Sequence, residues 1–157
     1  MKLENPLFNI VLVEPEIHVN TGNIGRTSVG TQCRLHLVEP LGFEITDSRV
    51  KRAGLDYWGS LDLTIHSNFE ALWSCVEDKS RAFFFTTKVE KTLYDFEFQQ
   101  GDWLFFGKET KGLDMALIER FRSQAATIPM PGEVRSLNLA NAVSITVFEG
   151  MRQLRFS

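Results

Sequence analysis

Three polar segments hold the residues whose types and spacing suit chemistry. Asn20-Thr21-Gly22-Asn23-Ile24-Gly25-Arg26 combines amides, glycines and an arginine. Gly107-Lys108-Glu109-Thr110 and Ser136-Leu137-Asn138 add a carboxylate, hydroxyls and a further amide. Loops of this kind, with Pro129-Met130-Pro131-Gly132 before the last of them, bring main-chain donors and acceptors together. Adenosine can be read that way without charged side chains. The usual phosphate fingerprints do not fit. Gly22-x-x-Gly25-x-x-x-x-Gly30 departs from the dinucleotide pattern G-x-G-x-x-G. For a P-loop, Gly101 lies one position too far from Gly107, and Glu109 separates Lys108 from Thr110, where a magnesium-binding hydroxyl should follow the lysine. Cys33-x-x-His36 has metal-like spacing but no second pair, so it reads as a buried thiol beside a strand histidine; no metal site is expected. Each candidate also has a plainer reading. Ser136 and Asn138 suit helix capping, Arg26 a solvated helix face, and Glu109 a cap for the helix that follows.

The elements that must position these residues alternate between strand and helix. Phe8 to Val13 is an apolar, β-branched run stopped by Glu14-Pro15, which suits a buried parallel strand. Residues 20–26 read as a glycine-bearing turn, with a helix from about Gly22 to Thr31. Arg34 to Val38, Leu61 to Ile65, Arg81 to Thr86, Asp102 to Phe106 and Ala125 to Ile128 read as further strands. Asp47 or Ser48 can cap a short basic helix carrying Arg49, Lys51 and Arg52. Ser67 can cap a helix over 68–76, with Glu70 completing a capping box. Asp114 to Phe121 is helical. Asn138 caps a final helix whose apolar stripe is Ala140, Val143, Val147, Met151 and Leu154. Ala142, Ile145 and Phe148 lie off that stripe, so the helix needs a second covering surface, which a partner subunit would supply. The pattern predicts an α/β fold around a mostly parallel sheet, with ligands in the loops 14–26, 107–112 and 128–138 beyond the strands' carboxyl ends.

Composition narrows the function classes. The 157 residues predict one domain over 1–157. Lys plus Arg is 17 and Asp plus Glu is 20, a formal charge of −3, which excludes coating of nucleic acid by bulk positive charge but leaves room for a local basic patch. No apolar run approaches the roughly 18 residues of a membrane span. Met1-Lys2-Leu3-Glu4-Asn5-Pro6 lacks a secretory signal. Cys33 and Cys75 form no disulfide framework and read as reduced thiols. A cytoplasmic protein is expected.

Taken in order, the three polar segments resemble the three motifs of the SPOUT RNA methyltransferases. Asn20 to Thr27 is similar to the first. Leu104-Phe105-Phe106-Gly107-Lys108-Glu109-Thr110-Lys111-Gly112-Leu113 is similar to the second. Ile128-Pro129-Met130 through Arg135-Ser136-Leu137-Asn138-Leu139-Ala140-Asn141-Ala142-Val143 is similar to the third. Val13-Glu14-Pro15-Glu16-Ile17, Leu35 to Phe43 and Gly54-Leu55-Asp56-Tyr57 resemble the minimal TrmL (YibK) type, which methylates the wobble ribose of tRNA. The resemblance spans almost the whole chain. Pro131-Gly132-Glu133-Val134 before Arg135 departs from that subgroup's pattern. What the resemblance implies is a SPOUT (α/β knot) fold with a C-terminal trefoil knot, and a homodimer.

The resemblance further implies a tRNA cytidine/uridine-34 2′-O-methyltransferase that uses S-adenosyl-L-methionine, needs no metal and acts on the anticodon stem-loop of leucine isoacceptors. The methyl donor would contact Phe85, Thr86, Gly107, Glu109, Ile128, Met130, Ser136 and Leu137. Arg26, Ser136 and Asn138 would be catalytic. RNA would be held by Asn20, Arg26, Arg49, Arg52 and Arg135, with Lys51, Lys108 and Lys111 adding charge. Arg26 is either a base for the 2′-hydroxyl or an anchor for the neighbouring phosphate; a guanidinium is normally protonated, which makes the first role demanding. Glu109 is structural or faces the sulfonium. Other readings are a methyltransferase for another tRNA or rRNA ribose, a non-catalytic RNA- or nucleotide-binding α/β module, and a flavodoxin-like binding protein.

Overall fold

The apolar runs of the sequence form the centre of one sheet. The computed structural model describes residues 1–45 and 57–155. The strands are β1 (Phe8–Val13), β2 (Arg34–Val38), β3 (Leu63–His66), β4 (Ala82–Phe85), β5 (Asp102–Phe106) and β6 (Ala125–Ala126). The helices are α1 (His18–Gly30), α2 (Phe69–Trp73), α3 (Met115–Arg120) and α4 (Leu139–Gln153). The sheet order is β3-β2-β1-β5-β4-β6, and every pairing is parallel. β1 and β5 occupy its middle, with Ile10 opposite Leu35 on one side and Leu104 on the other. A parallel sheet covered on both faces requires such near-continuous apolar strands.

Alternation along the strands divides the core. Ile10, Leu12, Leu35, Leu37, Phe83, Phe85, Leu104 and Phe106 pack with Ile24 of α1 and with Val143 and Val147 of α4. Val11, Val13, Val38, Phe84 and Phe105 point the opposite way, toward Trp73 of α2 and Ile118 of α3. Phe84 stacks on Phe105 and on Phe121 with ring centroids 4.5 Å apart in each case. Cys33 lies in the first face. His36 lies in the second, where it contacts Trp103 and His66. The two halves of the Cys33-x-x-His36 pattern thus point to opposite sides of the sheet.

Several boundaries differ from the sequence reading, each for a tertiary reason. α1 begins at His18, so the segment read as a turn is helical. Its glycines serve close packing: the Tyr57 hydroxyl donates to the Gly22 carbonyl, and a Cβ on Gly25 would lie 3.1 Å from that hydroxyl. β3 starts at Leu63; just before it the Asp62 carboxylate accepts from Arg34 and from the Leu3 N–H. Asn68, rather than Ser67, caps α2 by accepting from Ala71 N. β6 is only two residues long. The expected basic helix with Arg49, Lys51 and Arg52 lies outside the described residues.

From edge strand β6 the chain returns over the centre of the sheet. α4 packs on α1, where Thr27 Oγ1 and Ser144 Oγ are 3.3 Å apart. Gln153 at its far end accepts from Phe98 N and donates to Phe96 O. The predicted stripe holds: Val143 and Val147 are fully buried, and Ala140, Met151 and Leu154 pack beside them. Off the stripe, Ile145 is 39% and Phe148 54% exposed.

Candidate active site

β4, β5 and β6 deliver their carboxyl ends to one edge, where a cavity of about 590 Å³ opens. Its floor is the apolar ends of β4 and β5, Phe85 and Phe106. Its walls are the segments 86–88, 107–112, 127–130 and 135–137, with Leu139 and Ala142 from the first turns of α4. Phe85, Thr86, Gly107, Glu109, Ile128, Met130, Ser136 and Leu137 all line it, as does Arg135. The 107–112 loop doubles back tightly. Gly112 N donates to Lys108 O at 2.9 Å, and a Cβ on Gly107 would come 2.0 Å from the Gly112 carbonyl carbon. Only glycine permits that approach.

Glu109 sits in this wall with its carboxylate committed elsewhere. Oε1 accepts from Glu16 N at 2.9 Å, and Oε2 accepts from Ile17 N at 2.6 Å and from Asn20 Nδ2 at 3.3 Å. α1 has no side-chain cap of its own at Ile17 and no acidic residue in its first turn. Glu109 takes the N–H of Ile17, just before the first turn, and of Glu16, and sets a carboxylate at the positive end of the helix from another loop. The helix it serves is therefore α1, not the one that follows it in sequence. Asn138 completes the network. Its Nδ2 donates to Asn20 Oδ1 at 3.0 Å. Its Oδ1 accepts from Ala140 N at 2.9 Å and Asn141 N at 3.4 Å, capping α4. One hydrogen-bonded chain thus joins the starts of α1 and α4 through the cavity wall.

Arg26 lies outside the cavity wall. It is exposed on α1, with its guanidinium carbon 5.9 Å from the centroid of the Tyr57 ring. The structure brings Asn20, Glu109 and Asn138 into direct contact and gathers Arg135, Ser136 and Leu137 at the cavity. Arg49 and Arg52 lie outside the described residues.

The rim is cationic despite the chain's net negative charge. Lys88, Lys108, Lys111 and Arg135 line the cavity, and Glu109 is the carboxylate among the lining residues. Thr87 and Lys88 escape the sequence reading, and Thr127, Leu139 and Ala142 appear in it only as parts of a strand, a motif and a helix, not as site residues. The rule that ligands sit beyond strand carboxyl ends would have found Thr87 and Lys88, because both follow β4 directly. Just outside the cavity, hydrogen bonds from Thr110 hold the Glu16 carboxyl below the usual carboxylate range, and Lys108 and Lys111 add to the effect.

Comparison with known proteins agrees with this architecture. The profile of the SpoU rRNA methylase family matches residues 7–148. A tRNA (cytidine(34)-2′-O)-methyltransferase of Burkholderia pseudomallei is 46% identical over 152 residues, covering 96% of this chain and 97% of the relative. The enzyme of that name from Escherichia coli K12 is 44% identical over 151 residues, covering 96% of each. A structure solved for insight into the 2-OH methylation of C/U34 on tRNA superposes with a TM-score of 0.89 at 44% identity, covering 94% of this chain and 95% of that one. The fold also matches the SpoU methyltransferase AviRb of Streptomyces viridochromogenes in complex with AdoMet, with a TM-score of 0.82 at 23% identity, over 98% of this chain and 60% of that one. The profile match over 142 consecutive residues and the nearly full-length identity to these relatives place the chain in the SpoU rRNA methylase family.

Proposed function

We infer that this protein is an S-adenosylmethionine-dependent tRNA methyltransferase that modifies the ribose 2′-hydroxyl of nucleotide 34, the wobble position. The observation that carries this reading is the cavity wall itself. There the second and third polar segments meet, and Glu109 and Asn138 tie them to the first through Asn20. Relatives that match nearly end to end are enzymes of this activity.

The cavity fits the donor. Its volume of about 590 Å³ lies within the range of about 300–1,000 Å³ typical of small-molecule sites, and its apolar floor with polar loops around it suits a nucleoside. Phe85, Thr86, Gly107, Ile128, Met130, Ser136 and Leu137 would hold the donor. When bound, it supplies a methyl group already activated on a sulfonium. The protein's task is then mainly alignment. Ser136 is exposed at the cavity wall, placed to orient the ribose. Asn138 and Asn20 fix the relative positions of α4 and α1 and thereby of Arg26. A guanidinium keeps its charge throughout the working range, which favours Arg26 as an anchor for the phosphate beside the target ribose. The hydroxyl proton would pass to water or to a phosphate oxygen. No step here requires a metal.

Lys88, Lys108, Lys111 and Arg135 would grip the anticodon stem-loop, with Arg49 and Arg52 added by resemblance. A homodimer is supported by the exposure of Ile145 and Phe148 on α4. The return of the chain from β6 across the sheet to α4 supports a knotted connection. Among the described residues no helix is long and apolar enough to cross a membrane, and a cytoplasmic enzyme has tRNA at hand.

The test is methyl transfer from labelled adenosylmethionine to tRNA lacking its 2′-O-methyl groups, followed by mapping of the labelled nucleotide. Label on ribose 34, lost in Arg26→Ala, is expected. Label on another ribose would remove the substrate assignment and keep the chemistry. Donor binding without labelling of any RNA would overturn the catalytic reading.

A further inference from the structure

Glu16 touches the cavity wall without lining the cavity. It lies between the end of β1 and the start of α1. Its Oε1 accepts from Thr110 N at 3.0 Å and from Thr110 Oγ1 at 2.7 Å. Its own backbone N–H donates to Glu109 Oε1 at 2.9 Å. Two acidic residues on neighbouring loops thus tie the loops together in both directions, Glu109 taking the Glu16 N–H and Glu16 taking the N–H and hydroxyl of Thr110. The base of the 107–112 loop supports itself through the Lys108–Gly112 bridge. Its tip, residues 109–111, borders the cavity and needs an anchor from outside. Glu16 is well seated to provide one, because Gly42 N donates to Pro15 O at 2.9 Å behind it. Lys108 Nζ, 3.9 Å from Glu14 Oε1, adds a weaker tie between the same segments.

We propose that Glu16 is a positioning residue for the methyl-donor site: through Thr110 it pins the tip of the 107–112 loop against the start of α1 and so fixes the wall that the donor contacts. This rests on reading the cavity as the donor site. An ionised acceptor with two donors from one residue holds that residue's orientation more firmly than a neutral contact does. Releasing it leaves the loop base intact and lets the tip move, which taxes donor affinity by the fraction of time the wall is out of place.

The experiment is calorimetric titration of adenosylmethionine into the intact protein and its Glu16→Ala, Glu16→Gln and Thr110→Val variants, with steady-state kinetics alongside. Glu16→Ala is expected to weaken donor binding about tenfold, the scale of one lost charge-assisted contact. kcat at saturating donor and saturating tRNA should stay within about twofold, since only ground-state binding is removed. Glu16→Gln keeps an acceptor and should recover most of the affinity. Thr110→Val should weaken binding less than Glu16→Ala, and adding it to Glu16→Ala should cost little more, because both break one contact. Unchanged donor affinity in Glu16→Ala overturns the proposal, as does a fall in kcat with affinity intact. If the unaltered protein binds no adenosylmethionine, it is the reading of the cavity that fails.

Discussion

Glu109 Oε2 accepts a hydrogen bond from the backbone N–H of Ile17 at 2.6 Å, across 92 residues of sequence. A carboxylate from the loop after β5 thus anchors the residue that precedes the first turn of α1, the helix that carries Asn20 and Arg26. Replacing Glu109 with alanine should cost about 1–3 kcal/mol, because main-chain donors at a helix start lose an ionised acceptor. Glu109→Gln should recover part of that, since only one of its two terminal atoms can accept and the other turns an NH2 toward a neighbouring donor. Urea unfolding of the three proteins checks this; equal midpoints would show that water replaces the cap without loss.

Asn138 has two separable duties. Its oxygen caps α4 and its amide N–H reaches Asn20. Asn138→Asp keeps the cap and removes the donor, so stability should stay within about 0.5 kcal/mol of the parent while methyl transfer falls sharply. Asn138→Ala should lose about 1 kcal/mol as well. Full activity in Asn138→Asp would reduce this residue to a cap.

Gly107 has no room for a side chain. A Cβ there would overlap Gly112 at 2.0 Å, so Gly107→Ala must open the loop that walls the cavity. Donor binding measured by titration should be lost in a protein that still shows parent-like far-ultraviolet circular dichroism. Retained binding would mean that the loop's present shape is dispensable.

Acid should weaken the fold through buried His36 and its half-buried neighbour His66, on the opposite half of the sheet from the cavity. His36 Nδ1 lies 3.0 Å from His66 Nε2, and His36 Nε2 lies 3.0 Å from Asn9 Oδ1. Burial, with His66 adjacent, pushes His36 down to about 3, and burial lowers His66 too. The unfolded chain, with an ordinary histidine pKa of about 6.5, binds protons that the native state refuses. Their contribution to stability is therefore complete above about pH 6.5 and is lost progressively as pH falls toward about 3. Urea midpoints between about pH 7.5 and 5 should drop in the parent and drop less steeply in His36→Leu. Parallel slopes would remove His36 from the account.

Phe148 projects from α4 at 54% exposure, and Ile145 one turn earlier at 39%. If a second copy covers this face, Phe148→Lys should shift the protein toward monomer in sedimentation experiments without lowering the stability of the monomer's own core. A parent that already sediments as a monomer would refute the dimer.

The central strands are legible because they are apolar runs, β1, β2 and β5 ending at or just before Pro or Gly, a pattern local in the chain. Arg34–Val38 and Asp102–Phe106 were read to the residue for that reason. The cap at Asn138 and the stripe of α4 follow from spacing alone. The start of α1 did not follow. Asn20 to Arg26 has turn-like composition, and only Tyr57 against its glycines and Glu109 at its head make it helical. Lys88 reached the cavity rim unnoticed because a single lysine after a strand carries no local signal.

By itself, then, the sequence determined which segments are buried, which loops are polar and in what order they come, because apolar periodicity and side-chain chemistry are properties of neighbouring residues. Tertiary structure decided the sheet order, the partner of Glu109, the link from Asn20 to Asn138 and the grip of Glu16 on Thr110. Those contacts join residues about ninety or more positions apart. They exist because parallel strands β1 and β5, distant in the chain, lie side by side and carry their following loops to the same edge of the sheet.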